Sequence, residues 1–304
     1  MRFAKGHGTE NDFVILLDPD GSEGLTAGLT VRLCDRRAGI GGDGVLRAVR
    51  ASALGAARPG RGVDGLGDAA AELEGAPSGT GTGPARPEWF MDYRNADGSV
   101  AEMCGNGIRV FARYLVRHGL VDGPEFTVVT RSGPRLIRMC TDGAVSVDMG
   151  AVAVLGAGSA VIAGQAYPGL RVSVGNPHLA CLVDGPLSAF DLSRPPGLDP
   201  GQFPDGGNVE LVQVTGPASV AMRVHERGSG ETRSCGTGAV AAAAAAADGS
   251  DGTWAVRVPG GDLQVTLEAG RAWLTGQAVI VAEGELDVAW LAAGHQATAD
   301  ASAR

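Results

Sequence analysis

Two short turns carry the reactive chemistry of this chain. Glu102-Met103-Cys104-Gly105-Asn106-Gly107 and Arg233-Ser234-Cys235-Gly236-Thr237-Gly238 are near copies, each ending in Cys-Gly-x-Gly and each leading into a helix-like stretch. A cysteine in the first turn of a helix meets backbone N–H groups that have no partner inside the helix, together with the positive end of the helix dipole. Both favour the thiolate. The glycines let a ligand approach the backbone, and the same N–H groups bind a carboxylate. Two such turns facing each other would offer thiols to opposite faces of one bound molecule. One thiolate then removes a proton and the other thiol returns one, inverting a carbon α to a carboxylate. An isolated cysteine is more often a small buried hydrophobe. That plainer reading holds for Cys34, Cys140 and Cys181, which have no glycine turn.

The elements that hold these turns are legible in outline. After the first turn, Ile108, Phe111, Ala112 and Leu115 keep the i, i+3, i+4, i+7 spacing of a helix, and Gly119 stands where a C-cap belongs. The second turn leads into an almost pure alanine run over 239–247, stopped by Asp248-Gly249. Its lack of bulk predicts a helix packed closely on all sides. Short β-rich runs predict strands over 12–17, 126–130, 145–149, 171–174, 179–183, 209–214, 220–224, 254–258, 263–267 and 278–281. Upstream of the turns, Gly8-Thr9-Glu10-Asn11 resembles Gly175-Asn176-Pro177-His178. The cysteines are offset by 131 residues and the asparagines by 165, a difference of 34. Residues 55–87, rich in Gly, Ala and Pro and without periodicity, have about that length and read as a flexible surface insertion. Without them the halves fall into register, so the sequence predicts two similar lobes, each with a sheet, a cysteine turn and a helix. Asn95 and Glu226 then hold equivalent places, each nine residues before its cysteine.

Composition narrows the alternatives. The 304 residues carry a net charge of −9 and no basic stripe, which argues against a nucleic-acid partner. Lys5 is the only lysine, so Schiff-base chemistry has one poorly placed candidate. The longest uncharged stretch, 149–170, is broken by five glycines and a proline and reads as strand and turn, not as a membrane span. The first residues lack the apolar core of a signal peptide. Five cysteines without CxxC spacing fit neither a disulfide framework nor a zinc ribbon, so no metal and a reducing cytoplasmic compartment are expected.

The segments KGHGTENDF, RNADGSVAEMCGNGIRVFARYL, GNPH, GGNVE and HERGSGETRSCGTGA resemble the diaminopimelate epimerase family, in one register up to about residue 286. The resemblance implies an α+β fold of two pseudo-symmetric lobes, each a β-barrel-like sheet wrapped around a central helix. The N-terminal lobe would span 1–148, with the insertion 55–87 and a returning strand near 277–286. The C-terminal lobe would span 149–276, followed by a tail over 291–304. It also implies a cytoplasmic, homodimeric isomerase that uses no cofactor and interconverts LL- and meso-diaminopimelate for lysine and peptidoglycan synthesis. Carried onto this chain, Cys104 and Cys235 become the acid/base pair, flanked by His178 and Glu226 as groups that tune them. Gly105, Asn106, Gly236 and Thr237 cradle the substrate, and Asn11, Asn95, Asn176, Asn208, Glu226 and Arg227 complete its binding. One departure is Gly44, where many members carry Gln; Asp43 beside it is a substitute contact. The insertion also exceeds the family's usual connection.

The residues themselves support those roles against plainer ones. Arg227 offers a fork for a carboxylate, where the alternative is a surface ion pair with Glu226. Asn95 is otherwise a turn residue, and His178 a satisfied core histidine. A related cofactor-free racemase with another substrate is the nearest rival, and the set of four asparagines with Arg227 speaks for a substrate with a second polar end. A thiol-exchange protein would keep its cysteines close in sequence.

Overall fold

The computed structural model describes residues 1–56 and 88–292; the expected insertion from residue 57 onward, and the tail beyond 292, lie outside the described residues. Contacts divide the chain into two units. The first draws on Met1–Gly8, Asp12–Arg138 and Ala278–Arg304, the second on Thr9–Asn11 and Met139–Gln277.

In the first unit, β1 (Arg2–Gly8) pairs antiparallel with β18 (Val279–Glu285), the last strand among the described residues. Next, β2 (Asn11–Leu17) runs parallel to β3 (Gly44–Arg50), and β3 antiparallel to β4 (Trp89–Asn95). The series continues with β5 (Glu125–Thr130), parallel to β4, and β6 (Gly133–Met139), antiparallel to β5. A short helix α1 (Ala27–Cys34) joins β2 to β3, and the Thr26 hydroxyl caps it by accepting the Leu29 N–H at 3.1 Å. Helix α2 (Gly105–Arg117) joins β4 to β5 and packs against β1, β3, β4 and β18. It buries the expected Ile108, Phe111, Ala112 and Leu115. Gly119 follows its last turn with φ +62°, the left-handed conformation that lets the chain leave a helix.

The second unit repeats this scheme. Strand β7 (Val145–Ala151) lies beside β17 (Arg271–Gly276). Strands β8 (Ala153–Ile162) and β9 (Gln165–Ser173) form a hairpin whose turn residues Ala163 and Gly164 both have positive φ. That is the turn geometry matching the strands' own twist, and it is the strand-and-turn reading made of this uncharged stretch. Strand β9 pairs with β10 (Pro177–Leu182), and the two-residue β11 (Gly197–Leu198) edges β8. Then β10 runs parallel to β12 (Asn208–Gly216), and β12 antiparallel to β13 (Ser219–Glu226), which β14 (Gly230–Thr232) flanks. Finally β13 runs parallel to β15 (Gly252–Val258), which pairs with β16 (Gly261–Glu268), and β16 with β17. The order of parallel and antiparallel neighbours from β10 to β16 matches that from β2 to β6. Helix α3 (Gly236–Ala247) occupies the place of α2 and packs against β9, β10, β12, β13, β15, β16 and β17. Alanine on every face is what so many close neighbours require: seven of its eight alanines are buried. Asp248, left-handed at φ +47°, ends it.

The strands not expected from sequence are those that bury charge or carry glycine. Arg47 in β3 and Asp92 in β4 are fully buried and paired at 2.7 Å, and Arg131 reaches Asp92 at 2.5 Å. Buried charges survive only in such pairs, and they erase the alternation by which a strand is read.

The tight seat of α3 yields the first prediction. Ala242→Leu should lower stability by about 1–3 kcal/mol through overpacking, measured as the midpoint of chemical unfolding. An unchanged midpoint would mean that α3 has room the packing does not show.

Candidate active site

Cys104 and Cys235 are the N-caps of α2 and α3, in almost the same conformation: φ −137° and ψ 120° for one, φ −123° and ψ 120° for the other. Each sulfur accepts the N–H of the glycine three residues on, Gly107 or Gly238, at 3.4 Å. Both glycines sit in crowded places. A Cβ on Gly107 would lie 3.2 Å from Leu46 Cδ2, and one on Gly238 only 2.7 Å from Glu210 Oε1.

Around Cys235 the second unit gathers most of the expected residues. The Glu226 carboxylate accepts a bond from the Cys235 thiol and another from the Thr232 hydroxyl. Thr237 Oγ1 lies 3.5 Å from Cys235 Sγ and accepts from Asn176 Nδ2 at 3.4 Å. Asn176 Oδ1 meets His178 Nε2 at 2.9 Å, and His178 Nδ1 meets Glu210 Oε1 at 2.7 Å. His178 therefore reaches Cys235 through Asn176 and Thr237. Asn208 ties the strand ends together: its Nδ2 donates to Pro177 O at 3.2 Å and its Oδ1 accepts the Arg227 N–H at 3.0 Å. The exposed Arg227 guanidinium donates to Asp205 O at 3.2 Å and forms no ion pair among the described residues, with Glu226 or any other acid. Asn11 closes the Thr9–Asn11 turn, which is fastened beside the cysteine turn. Thr9 Oγ1 bonds Ser234 Oγ at 2.7 Å, Glu10 pairs with Arg233, and a Cβ on Gly260 would overlap Thr9 O at 1.9 Å.

The first unit arranges its residues differently. The Asn106 side chain turns inward, its Oδ1 accepting from Arg109 Nη2 at 2.8 Å, while Arg109 Nη1 bonds Gly105 O at 2.9 Å. The Asn106 side chain is thus engaged within the first turn of its own helix. Asn95 uses both ends of its amide locally, accepting from Tyr93 Oη at 2.8 Å and donating to Ser99 Oγ at 3.0 Å. It lies opposite Gly44 in the β3–β4 ladder. A Cβ on Gly44 would strike Arg94 O at 2.6 Å and the Tyr93 ring at 2.8 Å, so the space for a longer side chain is taken by Tyr93. Asp43 is held by Arg36 at 2.7 Å. Arg36 and Lys5 both grip Asp12 and hold its carboxyl far below the usual range, against the burial that would raise it.

Electrostatics separate the two cysteines. Burial, then the charges of Glu226 and Glu210, push the Cys235 thiol well above its ordinary value; Thr237 and the Gly238 N–H pull the other way. Burial and Glu210 also raise Glu226, opposed by its bonds from Thr232 and Cys235 and by the charge of His178. Beside Cys104 stands a cation instead. Arg109 is wholly buried, and desolvation lowers its pKa to about 10 while the charge of Cys104 raises it, so it remains a guanidinium at neutral pH. Among the described residues no group of three or more His, Cys, Asp or Glu could hold a metal ion. Glu210 and Arg109 were not singled out from sequence. The available signal was the failed equivalence of the halves: Arg109 and Val240 stand five residues after their cysteines, and Glu210 and Leu46 are each third in their strand.

Comparison with known proteins covers nearly the whole chain. The family model described as diaminopimelate epimerase matches residues 77–155 and 170–288, more than half of the chain. The diaminopimelate epimerase of Thermobifida fusca is 56% identical over 94% of this chain and 98% of its own. That of Mycolicibacterium smegmatis is 50% identical over 95% and 98%. Among solved structures, a probable proline racemase from Agrobacterium radiobacter with bound carbonate superposes with a TM-score of 0.60, covering 94% of this chain and 93% of that one. At 13% identity it shares the fold.

The thiol environments predict how stability depends on pH. Burial also raises Cys34 to about 11 and Cys181 to about 12. A thiol raised by folding stabilises the fold fully below the ordinary value of 9.0 and ceases to do so as the pH climbs through its raised value. Unfolding free energy should therefore fall as the pH passes 9, and fall less steeply in Cys235→Ala. Equal slopes for the two proteins would contradict the raised Cys235.

Proposed function

The chain belongs to the diaminopimelate epimerase family and is an isomerase, and from that premise we propose that Cys104 and Cys235 interconvert LL- and meso-diaminopimelate by two-base proton transfer. One thiolate takes the proton from the α-carbon, and the other thiol returns a proton to the opposite face. The carbanion between these steps is stabilised by holding its carboxylate against backbone N–H groups at a helix start. The residues at the starts of α2 and α3 serve as that cradle, Gly105 and Asn106 in one and Gly236 and Thr237 in the other. Thiols supply both proton transfers, so the reaction calls for no cofactor.

The observation that carries this reading is the repeated cysteine cap, with its sulfur on the N–H of Gly107 or Gly238. Glu226 is placed to receive the Cys235 proton. Asn11, Asn95, Asn176, Asn208 and Arg227 bind the rest of the substrate, with the exposed Arg227 fork taking its far carboxylate. Glu226 and His178 tune the thiols. The family resemblance further implies a cytoplasmic homodimer. No described helix is long and apolar enough to cross a membrane.

Two measurements test the assignment. Cys104→Ala and Cys235→Ala should each cost roughly 10²–10⁴-fold in turnover, since a positioned acid or base contributes that much. Near-normal turnover in either variant would remove its cysteine from the pair. Polar groups left unpaired against a shorter amino acid cost about 1–3 kcal/mol each, and sites of this kind reject such analogues by about 10⁴–10⁵-fold. Proline, alanine and lysine should therefore not racemise, and Arg227→Met should lower turnover of diaminopimelate by orders of magnitude while the protein stays folded. Racemisation of proline at a comparable rate would favour the related racemase.

A further inference from the structure

The GGNVE segment contains a residue that the proposed mechanism does not use. Glu210 is 0% exposed, and so is His178 bonded to it at 2.7 Å. Glu210 Oε2 has no hydrogen-bond partner among the described residues. A carboxylate so placed depends on its one cationic neighbour, and apolar residues of similar size would usually serve stability as well or better.

The other half of the molecule shows that substitution already made. His178 pairs with Asn208 at the start of β12 as Phe13 pairs with Gly44 at the start of β3, and Glu210 and Leu46 are each third in their strand. Phe13 and Leu46 are 0% exposed and pack against Gly107, as Glu210 packs against Gly238. The same topology therefore closes over an apolar pair in one unit and over a His–Glu pair in the other. The fold does not demand the charges.

Their arrangement indicates what they are for. Each ring nitrogen of His178 faces an oxygen, Glu210 Oε1 on one side and Asn176 Oδ1 on the other. A ring set between two oxygens can donate from both of its nitrogens, one toward the Glu210 carboxylate and one toward Asn176. Asn176, its oxygen on His178, presents its NH₂ to Thr237 Oγ1, which leaves the Thr237 proton free to point to Cys235 Sγ 3.5 Å away. We propose that Glu210 is a positioning residue that keeps His178 protonated and so fixes the donor direction of the His178–Asn176–Thr237 chain, which ends on Cys235 as a hydrogen-bond donor. This rests on the reading of Cys235 as an acid/base residue. It gives the Cys235 thiolate a donor that opposes burial and the two carboxylates facing it, Glu226 from β13 and Glu210 from β12. With a neutral residue at 210, His178 has no counter-ion, Asn176 is free to turn over, and the Thr237 proton can point away from the sulfur.

The test reads His178 directly. In the ligand-free protein with ¹⁵N-labelled histidine, both His178 ring nitrogens should carry protons at neutral pH, and only one in Glu210→Gln. The variant should lose roughly tenfold in kcat, the worth of one hydrogen bond to a charged sulfur, with KM nearly unchanged. Its rate profile should shift to higher pH, and Glu210→Asp should restore both kcat and profile in part. Removal of a nearby negative charge alone would shift the profile the opposite way. A singly protonated His178 in the wild type, or an unaltered His178 in folded Glu210→Gln, overturns the proposal. Should Glu210→Gln fail to fold, the double variant His178→Phe, Glu210→Leu copies the apolar pair of the first unit. It should fold with a thermal midpoint near wild type and lose at least tenfold in kcat; wild-type kcat there overturns the proposal. The histidine spectrum needs no turnover, so failure of the Cys235 assignment, read from Cys235→Ala, is distinguishable from failure of this one.

Discussion

A sulfur bonded to the N–H three residues ahead, at the start of a helix wrapped in strands, constrains most of this molecule. That bond needs the cysteine in extended conformation as a cap, and a strand side chain presses on the glycine at the third helical position. It needs a helix slim enough to be enclosed, which in the second unit means alanine almost throughout. It also needs strands on several sides of the helix, supplied by the repeated succession of parallel and antiparallel pairs. The composition follows: many glycines, much alanine and few aromatic residues. Helix starts freed of side chains in this way leave backbone N–H groups able to hold a carboxylate, which is what chemistry at an α-carbon requires.

The two units share that scaffold and differ in charge. Where the first has Phe13, Leu46 and Asn95, the second has His178, Glu210 and Glu226; where the second has Val240, the first buries Arg109. A cation stands near Cys104 and carboxylates near Cys235. For the two-base reaction proposed above, such unequal surroundings would favour one thiol as the holder of the proton and the other as the thiolate.

The sequence made the cysteine turns legible because glycine spacing and helical periodicity are local signals, and the duplication showed that both turns belong to one scheme. The helices end as expected, at Gly119 and Asp248. Strands β3 and β4 were not legible, because Arg47, Asp92 and Arg94 are buried by pairing that only the folded chain brings about. Glu210 escaped for the same reason: alone in a strand it reads as a solvent-facing acid, and only the β10–β12 register sets it against His178. At Gly44 the sequence shows a departure from the family's frequent Gln; the structure adds that a Cβ there would meet Arg94 O and the ring of Tyr93, whose hydroxyl bonds Asn95. Asn95 and Asn106 were legible as polar residues at the right spacing, but not the local bonds that engage their side chains.

The central claim is that two different groups handle the proton on the two faces of the substrate. Turnover of LL-diaminopimelate in D₂O, stopped early and analysed by mass, tests it most directly. Two bases predict that the meso product carries one deuterium at the inverted carbon while the recovered LL substrate remains protiated, because the base that takes the substrate's proton is not the acid that delivers the solvent's. A meso product that retains the original proton, or deuterium appearing equally in substrate and product from the first turnovers, would contradict it.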